Sequence, residues 1–312
     1  MRDRIAVVGA GHVGATCAQR IAERDLGDVV LLDVIEGVPQ GKGLDMTEAG
    51  PVERFDARVL GTNDPADLAG ARLVVVTAGK ARTPVMTRED LLLANATIIR
   101  SVADSIRTHA PDAVVVLVTN PLDVMCWLAR AVTGFEAGRV IGMAGILDTA
   151  RFRTFLSMET GISVRDIQAM VLGGHGDSMV PLTRYSTAGG IPIETFIPAD
   201  RLAEIVERTR KGGIEIINHL KTGSAYYAPS AGAAQMAEAI LRDQKRLLPC
   251  AAYLTGQYGL EDVYVGVPVI LGAAGVERIV ELDLTDEESA ALAASAGVVA
   301  ENIALLREKG FA

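Results

Sequence analysis

His175 stands in Val171-Leu-Gly-Gly-His-Gly-Asp-Ser-Met179, closely flanked by three glycines and preceded by an apolar run. An imidazole placed this way lies against exposed backbone with room for a ligand, and it can give or take a proton near neutral pH. Read alone, the stretch is best described as a histidine satisfied within a loop. Asp148 and Arg151 occur in Ile146-Leu-Asp-Thr-Ala-Arg-Phe152, three residues apart and so on one helical face. Either they form an ordinary surface ion pair, or the aspartate turns to a histidine, fixes its tautomer and stabilises the imidazolium. The spacing alone does not join Asp148 to His175.

Two further cations, Arg82 and Arg88, flank Pro84 in Ala78-Gly-Lys-Ala-Arg-Thr-Pro-Val-Met-Thr-Arg-Glu-Asp90. A guanidinium is a rigid fork matched to a carboxylate or phosphate. Taken alone, this stretch also reads as a solvated loop, where arginines are common. Near the start, Gly9-Ala-Gly-His-Val-Gly14 follows an apolar strand and opens a helical stretch. Gly9 permits the tight turn, Gly11 lets a pyrophosphate approach the backbone, and Gly14 lets strand and helix pack closely. The helix start then offers free amides and a positive dipole end. Asp33 ends the second strand, nineteen residues after Gly14, where a carboxylate suits the ribose hydroxyls of NAD and repels the 2′-phosphate of NADP. The alternative is a glycine turn with a surface aspartate.

Regular elements must position these groups. Arg4–Val8 and Asp28–Asp33 read as strands, with helices over Val13–Arg24 and Gly37–Glu48. Leu73–Thr77 and Ala113–Thr119 are continuous β-branched runs, as in strands buried on both faces of a parallel sheet, and Glu89–Ala110 is a helix between them. The alternation predicts an α/β fold with a Rossmann-type doubly wound parallel sheet. Past Gly142 the texture changes. Helices are expected at Leu147–Thr160, Pro198–Lys221 and Ala225–Arg242, the second broken near Gly212-Gly213. A strand at Ile167–Leu172 and a hairpin from Leu248–Tyr258 and Val263–Leu271 complete an α+β part, and Thr285 with Glu288 caps a final helix. We expect two intimately packed domains, 1–143, which carries the glycine turn suited to NAD, and 144–312.

The chain has 312 residues and a formal charge of -9, which argues against a nucleic-acid partner without excluding a small anion at a local arginine cluster. No apolar run reaches the length of a membrane span, and the N-terminus lacks a signal-peptide layout, so a cytoplasmic protein without a membrane partner is expected. Cys17, Cys126 and Cys250 are scattered and fit reduced, buried thiols, and the four histidines show no metal-site spacing.

Over essentially its whole length the chain resembles the lactate/malate dehydrogenase family, most of all its lactate-dehydrogenase-like malate branch. The resemblance rests on Gly9-Ala-Gly-His-Val-Gly14, Thr77-Ala-Gly79, Val118-Thr-Asn-Pro-Leu-Asp123, Leu147-Asp-Thr-Ala-Arg151 and Gly174-His-Gly-Asp177. It implies NAD-dependent oxidation of (S)-malate, with catalysis in domain 144–312 and loop 79–90 serving the substrate, a place in the tricarboxylic acid cycle, and a homotetramer or homodimer. His175 becomes the acid–base group and Asp148 its partner. Arg88 polarises the substrate carbonyl, Arg151 forks onto the C1 carboxylate, Arg82 reads the far carboxylate, and Asn120 hydrogen-bonds substrate and helps place the nicotinamide. The cofactor is expected against Gly9, Gly11, His12, Val13, Gly14, Asp33, Thr77, Ala78, Gly79, Asn95, Val118 and Asn120. His12, Val85, Ser178 and the pair Ser224-Ala225 depart from the residues usual in the family. Two other readings remain: a lactate dehydrogenase, against which Arg82 stands, and a dinucleotide sensor without catalysis.

Overall fold

The structure is a computed structural model that describes residues 2–81 and 86–311. The first half alternates strand and helix: β1 (Arg4–Val8), α1 (His12–Glu23), β2 (Asp28–Leu32), α2 (Val38–Glu53) and β3 (Val59–Thr62). Then follow β4 (Leu73–Val76), α3 (Arg88–His109), β5 (Val114–Leu117), α4 (Leu122–Thr133) and β6 (Val140–Gly142). After Arg4 and Asp28 at the starts of β1 and β2, the strands β1, β2, β4 and β5 are runs of Val, Leu, Ile and Ala buried on both faces, the pattern expected of parallel strands sandwiched by helices. They pair in parallel in the order β3-β2-β1-β4-β5-β6, the doubly wound dinucleotide-binding topology.

The second half contains α5 (Gly145–Thr160), β7 (Ile167–Leu172), β8 (Val180–Ala188), β9 (Ile191–Pro192), α6 (Ala199–Leu220) and α7 (Tyr227–Leu241). It ends with β10 (Arg246–Thr255), β11 (Glu261–Gly272), β12 (Gly275–Ile279) and α8 (Asp286–Glu308). β10 and β11 form the expected antiparallel hairpin. Beyond that expectation, β10 also pairs with β6 through Ala251 and Gly142, so β10, β11 and β12 extend the first sheet to nine strands. β7, β8 and β9 make a separate antiparallel sheet.

α6 corrects one sequence expectation: it runs unbroken through Gly212-Gly213. A mid-helix glycine costs about 1 kcal/mol relative to alanine. Here Leu202, Ile205, Thr209 and Gly212 form a buried stripe at helical spacing, and Arg208 reaches across the glycine pair to Glu215 in a two-pronged bond. Burial outweighs propensity. α8 opens with the expected capping box, Thr285 and Glu288 exchanging side-chain and backbone bonds. By length and composition α8 could cross a membrane, yet Leu292, Ser295, Ala296, Val299, Ile303 and Leu306 pack into the protein.

Candidate functional site

The carboxyl ends of β2, β1, β4 and β5 lie side by side in the sheet, and the glycine turn follows β1 at this edge. Gly9 has φ +104, and a Cβ there would come within 2.7 Å of Thr77 Oγ1 and the Ala78 amide. A Cβ on Gly14 would collide with the Gly9 carbonyl. Glycine at both positions is therefore what allows β1, α1 and the end of β4 to meet. Thr77 locks the contact, its hydroxyl 3.1 Å from the Gly9 carbonyl. Around Gly11, by contrast, a Cβ would have open space within 4 Å, and no side chain caps α1. The first-turn amides of His12 and Val13 are thus left to a ligand, as a pyrophosphate requires.

Asp33 lies beside this turn. One carboxylate oxygen accepts the Ala10 amide at 2.6 Å and the other the Ile35 amide at 3.0 Å, which orients the group while each oxygen keeps a lone pair. Lys42, which the sequence reading passed over, donates to the Ala10 carbonyl at 2.6 Å. These residues fit a dinucleotide: open backbone at Gly11, an uncapped helix start and an oriented carboxylate.

Asn95, expected among the cofactor residues, ties the backbone after β4 to that after β5. It is fully buried; both amide hydrogens go to the Lys80 and Asn120 carbonyls, and its oxygen accepts the Lys80 amide. It braces the segments after β4 and β5, both amide hydrogens being used within the protein. Thr119 ties the same segments together, donating to the Ala78 carbonyl at 2.7 Å. Asn120 is exposed at the end of this braced segment, with Val118 half-buried before it. Within the substrate loop, Arg82 and Val85 lie outside the described residues.

The reacting groups converge from separate elements. Asp148, in the first turn of α5, is buried and bridges two partners: His175 Nδ1 at 2.9 Å and Arg151 Nη1 at 3.3 Å. Nδ1 therefore donates to the carboxylate, leaving Nε2 for substrate. Burial alone pulls the His175 pKa down. The Asp148 charge and hydrogen bond outweigh that, Arg151 opposes them and Asp123 adds to them, so the imidazole holds its proton above its ordinary value. Arg151 packs against α6: a Cβ on Gly212 would lie 3.2 Å from Arg151 Cδ, and one on Gly213 3.5 Å from Nη2. Within the pair that looked like a helix break, Gly212 gives the Arg151 side chain clearance, whereas a Cβ on Gly213 would make only ordinary contact. Arg88 is exposed at the start of α3, after Thr87 and Asp90 form a capping box, and faces Asp177 beyond the histidine at 3.6 Å. It stands at the rim of the His175 turn.

Residues 3–142 match the family description "lactate/malate dehydrogenase, NAD binding domain", and residues 146–309 match "lactate/malate dehydrogenase, alpha/beta C-terminal domain". The chain belongs to the lactate/malate dehydrogenase family. Its first part is the family's NAD-binding domain. A malate dehydrogenase of Roseiflexus castenholzii is 58% identical over 99% of this chain and 100% of its own length. Among solved structures, Cryptosporidium parvum malate dehydrogenase superposes with a TM-score of 0.96 at 43% identity, covering 99% of this chain and 100% of that one. The lactate dehydrogenase of the same organism, complexed with lactic acid and NAD, gives 0.95 at 43% identity, with 98% of each chain covered. Backbone likeness is thus shared by both activities, and the choice between them lies in side chains.

Sequence reasoning missed three groups around the reacting centre: Asp123, Ser295 and the Gly212-Gly213 pair. Asp123 was legible only as part of Asn120-Pro-Leu-Asp123, and Ser295 carries no local signal, because it reaches the site from the last helix.

Proposed function

We propose that this chain catalyses reversible NAD-dependent oxidation of (S)-malate to oxaloacetate at the site formed by His175, Asp148, Arg151, Asn120 and the loop arginines. The observation that carries the reading is the buried Asp148 bridging the part-buried His175 and Arg151. A non-catalytic dinucleotide sensor has no need of that arrangement. When bound, the nicotinamide supplies a hydride acceptor. Neutral His175 takes the C2 hydroxyl proton on Nε2, and Asp148 stabilises the imidazolium that forms. Arg151 holds the C1 carboxylate with its fork, while Asn120 places the reacting oxygen. Arg88 closes onto that oxygen and, with water excluded, stabilises its negative charge. In the reverse direction protonated His175 is the acid.

Arg82 is proposed to select the C4 carboxylate. Closed over pyruvate, it would be buried without a counter-charge at several kcal/mol, so pyruvate is rejected by orders of magnitude. The relatives named malate dehydrogenase favour this over the lactate reading. The test compares kcat/KM for oxaloacetate and pyruvate with NADH, using NADPH as a control. Oxaloacetate is expected to lead by at least about a thousandfold. Equal or better turnover of pyruvate sinks the malate reading; NADH binding without turnover of either favours the sensor.

A homotetramer in the cytoplasm serving the tricarboxylic acid cycle is the cellular form we propose. Exposed apolar residues on α2 (Leu44, Val52) and α6 (Ile214, Ile217, Leu220) support assembly, and three buried, unbridged thiols suit a reducing compartment.

A further inference from the structure

Asp123 meets no substrate in the mechanism above, yet its carboxylate lies against the histidine turn. It enters from the first turn of α4, three residues after Asn120, and is 5% exposed. Its Oδ2 accepts the His175 backbone amide at 3.3 Å, and its Oδ1 is buried with no hydrogen-bond partner among the described residues. The neighbouring Gly174 amide donates to Ser295 Oγ of α8 at 2.7 Å, and Gly173 exchanges backbone bonds with Gly266 of β11. A Cβ on Gly174 would lie 3.4 Å from Asp123 Oδ2 and 3.3 Å from Ser295 Oγ. Three elements thus grip the turn that carries the acid–base group, and only one of them brings a charge.

A half-satisfied carboxylate in a protein interior destabilises the fold, and a neutral side chain would fill the space without that penalty. We propose that Asp123 is a positioning residue for His175, holding the histidine's backbone amide and adding a second buried negative charge to the one Asp148 supplies. This rests on the acid–base role assigned to His175 above.

Among the described residues, the charges facing His175 come from α5 (Asp148 and Arg151) and α4 (Asp123), with the Arg88–Asp177 pair at the exposed rim. Ser295 from α8 is neutral, as is Cys126 in α4, whose thiol burial pushes up well above the usual range. Burial raises the Asp123 carboxyl to about 6; the His175 amide and charge pull it back, and Asp148 pushes it up. Above that pH, two carboxylates address one imidazole, each making the proton harder to remove. Below it, Asp123 becomes neutral and releases part of that hold. The two titrations are coupled, so the pair should bind protons in two macroscopic steps.

Asp123→Asn keeps an oxygen for the His175 amide and removes the charge. In oxaloacetate reduction, which needs protonated His175, the pH at which kcat/KM falls by half should move down by about half a unit to one unit. KM for NADH should not change. A purely structural role would lower kcat across the pH range and leave that midpoint in place, which would overturn the proposal. If the variant does not fold, NMR titration of the His175 imidazole in the unsubstituted protein takes its place. Two inflections, one near pH 6, are expected; a curve that follows a single site overturns the inference. Failure of the unsubstituted protein to reduce oxaloacetate would instead remove the functional reading, and the NMR titration would still report on Asp123.

Discussion

Asp148 has two tasks at once: one oxygen faces the imidazole and the other the guanidinium that is to hold substrate. Replacing it with asparagine should therefore damage both proton transfer and carboxylate binding. His175 titrates above its ordinary value, so reduction of oxaloacetate persists to higher pH than an unassisted histidine would allow. Asp148→Asn removes the supporting charge, and the falling limb of kcat/KM should shift to lower pH. The maximal rate should drop by a factor of about a hundred to ten thousand. A pH–rate profile checks the sign; an unmoved limb would mean the 2.9 Å contact does not govern the proton. The same linkage has a consequence for stability. The raised His175 stabilises the fold in full below its unfolded pKa, and that contribution is lost as pH rises through the folded value.

At the scale of elements, α6 opposes helix propensity to function. Gly212 and Gly213 weaken the helix locally, but the missing side chain of Gly212 leaves room for Arg151 against α6. Gly212→Ala should gain up to about 1 kcal/mol of helix propensity. The added methyl would sit 3.2 Å from Arg151 Cδ, so the guanidinium must yield by a few tenths of an ångström. We expect KM for malate to rise about tenfold while the melting temperature holds or increases, the fold-change reflecting a strained bidentate contact. Steady-state kinetics and a thermal melt on the same preparation separate the effects. A lower melting temperature with unchanged KM would show that the glycines serve packing and not Arg151. α4 carries a related division of labour, since Asn120 before it is exposed and Asp123 within it supports the histidine turn.

Considered as a whole molecule, the chain leaves apolar side chains uncovered on α2 and α6, with Val52 78% and Leu44 61% exposed. A second copy covering these faces is the simplest way to remove them from water. Light scattering coupled to size exclusion should report about four times the 32.8 kDa of one chain. A mass of a single chain at micromolar concentration would refute assembly, and a dimer would confine it to one of the two faces. Substituting Leu44 and Val52 with glutamate should lower the mass without unfolding the chain, because both side chains are already in solvent.

Local chemistry made much of this legible from residues alone. The glycine turn and Asp33 follow from backbone sterics and the reach of a carboxylate, so they appear at fixed separation in the chain. The buried strands β1, β4 and β5 announce themselves as apolar runs because both faces are covered. Both readings of Asp148 and Arg151 were open until folding brought α5 against the turn after β7. The distance between Asp148 and His175 is a property of packing, and no spacing in the chain encodes it. The same holds for Asn95, whose buried amide bridges the ends of two parallel strands, and for Ser295, which reaches the Gly174 amide from the last helix. Gly212-Gly213 misled for a related reason: propensity is a local term of about 1 kcal/mol, whereas the buried face of α6 acts over its full length. What the sequence alone determined was the set of groups and the short-range geometry of each; which groups share a proton was decided by tertiary contacts between elements far apart in the chain.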